Sequence, residues 1–171
     1  MSIIFPYTET EFMLIVQERL PMFRGMAMRI LKNSADADDA VQTALMRGWT
    51  RRFFLRKRVL AGWLARIVIN ESYTILRKRK REATVDIDAV SEAQLNSGKD
   101  DRDKAMEEAQ MQKLEAAIAA LPELYRQTIH IALLSNLETQ EAADLLGCSA
   151  NTLYQRLHKA KQLLREALKD E

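Results

Sequence analysis

Glu141-Ala-Ala-Asp-Leu-Leu-Gly-Cys-Ser-Ala-Asn-Thr-Leu-Tyr-Gln-Arg-Leu-His-Lys159 is the stretch on which the reading of the fold turns. A short helix over Gln140 to Leu146 runs into Gly147, a residue free to take positive φ in a tight turn, and Ser149 is placed to cap a second helix. Ala142, Ala143, Leu146, Cys148 and Leu153 supply small or apolar groups where two helices must cross closely, as in a helix-turn-helix. On the second helix Leu153, Leu157, Ala160, Leu164 and Leu168 form the stripe expected to be buried. The opposite face carries Asn151, Thr152, Gln155, Arg156, His158 and Lys159, types that hydrogen-bond base edges and phosphates in a major groove. A plain helical hairpin with a solvated polar face has the same periodicity; the glycine turn, the cap and the basic-polar helix together favour the DNA reading. Cys148 reads as a small core group and His158 as a polar surface or phosphate-contacting group.

Working outward, apolar residues recur at spacings of three and four, and only five glycines and three prolines interrupt them. The spacing predicts an all-α chain. A first helix is expected from about Thr10 to Leu31, its stripe being Phe12, Ile15, Val16, Leu20, Phe23, Ala27 and Ile30 despite Pro21. A second, with Ser34 as N-cap, places Ala37, Ala40, Val41, Ala44, Leu45, Gly48 and Trp49 on one face. A third runs from about Leu60 into Arg77-Lys-Arg-Lys-Arg81. From Thr84 to about Asp103 the periodicity fades, and it resumes at Met106 and stops at Pro122. The expected organisation is therefore two small helical domains, 1–83 and 106–171, joined by a flexible acidic linker over 84–105.

The whole-chain net charge of +2 conceals a division. Residues 1–83 carry 16 basic and 8 acidic side chains, residues 84–108 carry 3 and 8, and residues 109–171 carry 7 and 8. Affinity for polyanions thus concentrates in the first half. Between Arg47 and Arg58 six cations and no acid accompany Trp49, Phe53 and Phe54, a mixture suited to phosphates and unpaired, stackable bases. Trp49 and Trp63 fit apolar stripes and read as core; Phe53 and Phe54 fall in a loop-like stretch. The run from Arg77 to Arg81 reads either as DNA-contacting or as cations stabilising a helix C-terminus.

One cysteine excludes an intramolecular disulfide, two scattered histidines suggest no metal site, and no cofactor-binding motif is present. No nucleophile–base pair argues for an enzyme. The segment Met1 to Phe12 has no basic leader or long apolar run, and nowhere do 18 uncharged apolar residues follow one another. A cytoplasmic protein without membrane insertion is the expectation.

Asp36-Ala-Asp-Asp-Ala-Val-Gln42 with Leu45, Arg47 and Trp49 resembles the region 2 helix with which extracytoplasmic-function sigma factors grip RNA polymerase. Trp63-Leu-Ala-Arg-Ile-Val-Ile-Asn70 and the basic run after it resemble the segment that meets the −10 promoter element. Leu121-Pro-Glu-Leu-Tyr-Arg126, then Glu141, Ala143, Leu146, Gly147, Ser149, Thr152, Arg156, Leu157, Ala160 and Lys161 are similar to region 4 of that family. Thr43 stands where the family usually has Glu, Ile69 where Arg is frequent, Glu138 where Ser or Thr caps, and Tyr154 at a commonly basic position. The stretch from Trp49 to Trp63 is short and basic where the family has an acidic, serine-rich piece.

The resemblance implies a non-enzymatic transcription initiation factor, monomeric when free, that binds core RNA polymerase and promoter DNA, duplex and melted, and that an anti-sigma factor can hold inactive. It implies polymerase contact through Asp38, Asp39, Gln42, Thr43 and Met46. The −10 strand would meet Arg51, Arg52, Phe53, Phe54, Arg66, Asn70, Arg77 and Lys78. The −35 duplex would meet Ser149, Asn151, Thr152, Tyr154, Gln155, Arg156, His158 and Lys159. The acidic linker would occupy polymerase's positive nucleic-acid channel. The alternatives are a stand-alone helix-turn-helix regulator, which leaves the Asp36–Trp49 helix unexplained, and a helical adaptor, which has no need of the basic groups.

Overall fold

A computed structural model describes residues 8–54, 57–85, 99–133 and 137–169; Met1 to Tyr7, Arg56 and the central part of the expected linker, 86–98, lie outside them. Among the described residues there are seven helices and no strand: α1 Glu9–Leu31, α2 Ser34–Arg51, α3 Lys57–Val85, α4 Lys99–Ala120, α5 Glu123–Ala132, α6 Thr139–Leu146 and α7 Ala150–Ala167.

Local chemistry sets most boundaries. Thr8 and Glu11 form a reciprocal capping box at the start of α1, and Lys32, at φ 52°, ends it in the left-handed region. The N-cap of α2 is Asn33 rather than Ser34: its carbonyl oxygen Oδ1 accepts from the Asp36 amide at 3.0 Å, while the Ser34 hydroxyl accepts from Arg24. Gly147 closes α6 at φ 64°, and Ser149 Oγ then accepts from the Thr152 amide at 3.1 Å to start α7, as the sequence predicts.

Two helices overrun their expected ends. α3 continues to Val85, so the basic run lies inside the helix rather than at its C-terminus, and α4 begins at Lys99, inside the stretch read as linker. Neither extension has an apolar stripe, so hydrophobic periodicity gives no sign of it. Leu20 and Leu168, placed on buried stripes by spacing, are exposed, because the packed faces of α1 and α7 are narrower than those stripes.

α1, α2 and α3 form a bundle around Phe23, Ala27, Ala37, Ala40, Ala44, Leu60, Leu64 and Val68, and small residues on α2 let the helix axes come close. The same core extends into the second half through Ile131, Ala142, Ala143, Leu145, Leu146 and Leu153. A smaller cluster, Leu121, Ile129 and Ala160, holds α5 against α7. The two halves are thus packed on each other, with α3 as the shared wall.

Several polar groups inside this contact are paired. Ser72 and Thr128 return their hydroxyl protons to the carbonyls of Val68 and Leu124, each at 2.8 Å. The Tyr73 hydroxyl lies 2.8 Å from His130 Nε2, and the Arg126 guanidinium lies 4.6 Å from the Tyr73 ring centre. Arg19 on α1 pairs with Glu141 on α6, and Lys32 with Glu115 on α4 at 2.6 Å. Beside these contacts a groove of about 570 Å³ remains, with Ile30, Leu31, Leu76, Leu114 and Ile118 on its walls.

Burial pushes the His130 imidazole down to about 4, with Arg126 and Arg29 adding to the effect, and pushes the Tyr73 hydroxyl up to about 12. His130 folded therefore resists a proton that it accepts near 6.5 when released. Stability from its packing is complete above about pH 6.5 and is lost as the pH falls toward 4, by up to about 3 kcal/mol. Denaturant midpoints should drop over that window and the drop should shrink in His130→Gln; an equal drop in both would refute the assignment. Leu64→Ala, at a fully buried site, should destabilise the chain by roughly 2–5 kcal/mol in the same assay.

Candidate polymerase and nucleic-acid interfaces

α2 buries Ala37, Ala40, Val41, Ala44 and Gly48 and turns Asp39, Gln42 and Met46 outward at spacings of three and four, so the three share one exposed strip. Met46 is 64% exposed, an apolar group left in water. Asp38 is engaged within the chain. Arg24 on α1 donates to it through Nε at 2.6 Å and Nη2 at 3.3 Å, and this hydrogen bonding holds the Asp38 carboxyl below the usual carboxylate range. Thr43 is half-buried at the edge of the strip.

Beyond α2 the chain turns at Arg52, Phe53 and Phe54. The Arg52 guanidinium lies 3.7 Å from the Trp49 ring centre and 4.0 Å from that of Phe53, and its Nη1 donates to the Trp49 carbonyl at 2.7 Å. Trp49 itself is half-buried, edge-on to Phe12 with ring centres 5.3 Å apart, which agrees with a core role; Trp63 is half-buried too. Phe54 is 79% exposed and Arg51 is exposed.

On α3, Arg66, Asn70 and Arg77 share a face by their spacing, whereas Lys78 points about a quarter-turn or more away. Asn70 stands roughly 20 Å along the helix from Lys57, so the aromatic turn and Asn70 are not brought together. Asn70 is instead held by the second half. Its Nδ2 donates to Glu123 Oε1 at 2.7 Å, and Gln127 Nε2 donates to its Oδ1 at 3.4 Å and to Glu123 at 2.7 Å. Arg66 donates to the Gly62 carbonyl, Arg77 to the Tyr73 carbonyl, and Lys78 pairs with Glu82. Arg79 reaches Asp36 at 2.7 Å, tying the basic run to the start of α2.

α7 buries Leu153 and Ala160 and exposes Asn151, Tyr154, Gln155, His158 and Lys159; Thr152 and Arg156 are half-buried at its margins. The hydroxyls of Ser149 and Thr152 lie 2.9 Å apart in the cap, so they serve first to begin the helix. Lys159 donates to Gln162 at 3.3 Å. Tyr154 and His158 border a second cavity of about 360 Å³ together with Leu133 and Lys161.

The residues that sequence reasoning missed are those that join the halves: Arg19, Tyr73, Glu123, Gln127, His130 and Glu141. Each looks like an ordinary surface or core residue of its own helix, and their partners lie 53 to 122 positions away. Among the described residues no cluster of three or more His, Cys, Asp or Glu could hold a metal, and no helix is long and apolar enough to cross a membrane.

Residues 15–82 match the family model for sigma-70 region 2, and residues 111–164 match that for sigma-70 region 4. The chain is 30% identical over 159 residues to the RNA polymerase sigma-E factor of Streptomyces coelicolor, spanning 92% of this chain and 86% of that protein. It is 27% identical over 150 residues to the RNA polymerase sigma factor SigV of Bacillus subtilis, spanning 87% and 86%. Among solved structures it is similar to the sigma factor RpoE of Bartonella quintana in complex with the anti-sigma factor NepR, at 27% identity and a TM-score of 0.51, covering 94% of this chain and 98% of that one. CnrH, in complex with the cytosolic domain of CnrY, has the same fold at 18% identity and a TM-score of 0.53, covering 96% and 91%. Matched along both halves in this order, the chain belongs to the extracytoplasmic-function group of RNA polymerase sigma factors, proteins of transcription initiation.

Proposed function

We propose that this sigma factor grips core polymerase through the Asp39, Gln42 and Met46 strip of α2, with Thr43 at its edge, and reads duplex DNA of the −35 element with the outward face of α7. The observation that carries this reading is the division of each helix into a buried apolar back and an exposed polar front, α2 in the first half and the capped α7 in the second. Asp38 contributes by fixing α2 to α1 through Arg24 rather than as a free contact. The domain limits 1–83 and 106–171 serve as working boundaries, the linker core lying outside the described residues.

In this reading Arg51, Arg52, Phe53, Phe54, Arg66, Asn70, Arg77 and Lys78 engage the melted −10 strand. Cations supply attraction to phosphates and exposed rings supply stacking, and together they stabilise the open complex without any bond being made or broken. Asn151, Tyr154, Gln155, Arg156, His158 and Lys159 lie toward the −35 groove, with Ser149 and Thr152 aiming the helix. The protein works in the cytoplasm as a monomer until it joins polymerase. An anti-sigma factor is its regulatory partner, by analogy with the complex of RpoE with the anti-sigma factor NepR.

Equilibrium binding of labelled chain to bacterial core polymerase should be tight, and Asp39→Ala with Gln42→Ala should weaken it at least tenfold, as loss of central interface contacts does. Undiminished binding by the double variant would remove α2 from the interface. Arg156→Ala should lower promoter discrimination by on the order of 1–3 kcal/mol in holoenzyme footprints while leaving polymerase affinity intact. A −35 footprint identical to the parent's would take Arg156 out of the groove.

A further inference from the structure

Three helix faces converge on the groove beside Tyr73 and His130. The last turn of α1 brings Arg29, Ile30 and Leu31 to it. Leu76 and Lys80 of α3 are four residues apart, and so are Leu114 and Ile118 of α4, so each of these helices lays one face along the cavity. Tyr73 and His130, both buried, close its inner side. The volume of about 570 Å³ falls within the roughly 300–1,000 Å³ of small-molecule sites, which are likewise mostly apolar with a few polar groups. None of the wall residues belongs to the outward strips of α2 and α7, so contacts to polymerase and to duplex DNA leave the groove unexplained.

Charge at this groove is one-sided. Arg29, Lys32 and Lys80 border it against a single carboxylate, Glu115, which Lys32 engages at 2.6 Å. Arg29 and Lys80 are exposed at the rim. The positive field reaches the inner wall as well: after burial, the charges of Arg126 and Arg29 hold the His130 imidazole down to about 4, so this wall stays uncharged at neutral pH. An apolar trough with cations on its rim and neutral groups inside matches an apolar chain that ends in an anion. A neutral guest would leave the rim cations unmatched, and a compact polyanion would leave the apolar walls in water.

From this we infer that the groove is a binding site for a free anionic amphiphile, a fatty-acid-like carboxylate. Its chain lies among Ile30, Leu31, Leu76, Leu114 and Ile118, and its head meets Arg29 and Lys80. Withdrawal of the chain from water supplies the affinity, and the cations select the head. Walls come from α1 and α3 of the first half and from α4 and α5 of the second, so a bound molecule stabilises the arrangement described here in proportion to its concentration.

The test titrates the full chain by calorimetry with decanoate below its micelle concentration, and with decanol and decyltrimethylammonium as neutral and cationic counterparts of equal chain length. Decanoate should bind saturably at one site and raise the thermal midpoint, and both counterparts should bind about tenfold more weakly. Arg29→Gln with Lys80→Gln should weaken decanoate several-fold and leave decanol unchanged. Ala116→Trp, at an exposed wall position of α4, fills the groove from its surface and should abolish decanoate binding while circular dichroism shows native helicity. Absence of saturable decanoate binding overturns the inference, and so does equal affinity for the three amphiphiles, the mark of an unselective apolar surface. Parental decanoate affinity in a natively helical Ala116→Trp places the binding elsewhere and overturns it too. If that variant loses helicity, the double variant decides: undiminished decanoate affinity in it overturns the inference equally.

Discussion

Everything in this molecule leans on α3. Leu60, Leu64, Ala65, Val68 and Ile69 are fully buried, which a helix facing only α1 and α2 would not require on so broad an arc. One side of the helix completes the first bundle and the other receives α5 and α6, so a single 29-residue element belongs to two packing units. That double use explains its composition: apolar through the shared wall, then basic beyond it, where Arg79 still reaches Asp36 of α2.

Polar side chains settle how the two units meet. Apolar surfaces attract without much direction, and the burial of Leu145 and Leu146 does not by itself choose a register along α3. The Asn70–Glu123–Gln127 cluster and the Tyr73–His130 contact have preferred geometries and leave polar groups desolvated if displaced. They therefore fix the register of a contact whose energy comes mostly from apolar burial.

The helical class, the helix-turn-helix with its Gly147 turn and Ser149 cap, and the outward strips of α2 and α7 were legible in the sequence because each is encoded within a few consecutive turns. Asn33 capping in place of Ser34 differs by one position, since two adjacent residues could both cap and the structure employs Ser34 for Arg24 instead. The extension of α4 back to Lys99 had no apolar stripe to reveal it. The packing between halves was invisible for a different reason: Glu123, Gln127 and Glu141 are acidic or amide residues on amphipathic helices, ordinary in every local respect, and only the folded chain gives them partners. Gly62, inside α3, gave no distinct sign either, since Gly25 and Gly48 interrupt α1 and α2 in the same way.

The guanidinium of Arg52, shared between the rings of Trp49 and Phe53, bears on how the turn after α2 is held ready. A flexible loop must surrender side-chain and backbone freedom when it meets a ligand, and that loss subtracts from affinity. Here Arg52 is already stacked and bonded to the Trp49 carbonyl, and Trp49 is anchored on Phe12, so Phe53 is oriented from the hydrophobic core outward. Much of the entropy loss has thus been met during folding. An ammonium in place of the planar fork could not lie against two rings and bond the carbonyl together, so the rigidity of this turn depends on arginine as such rather than on positive charge.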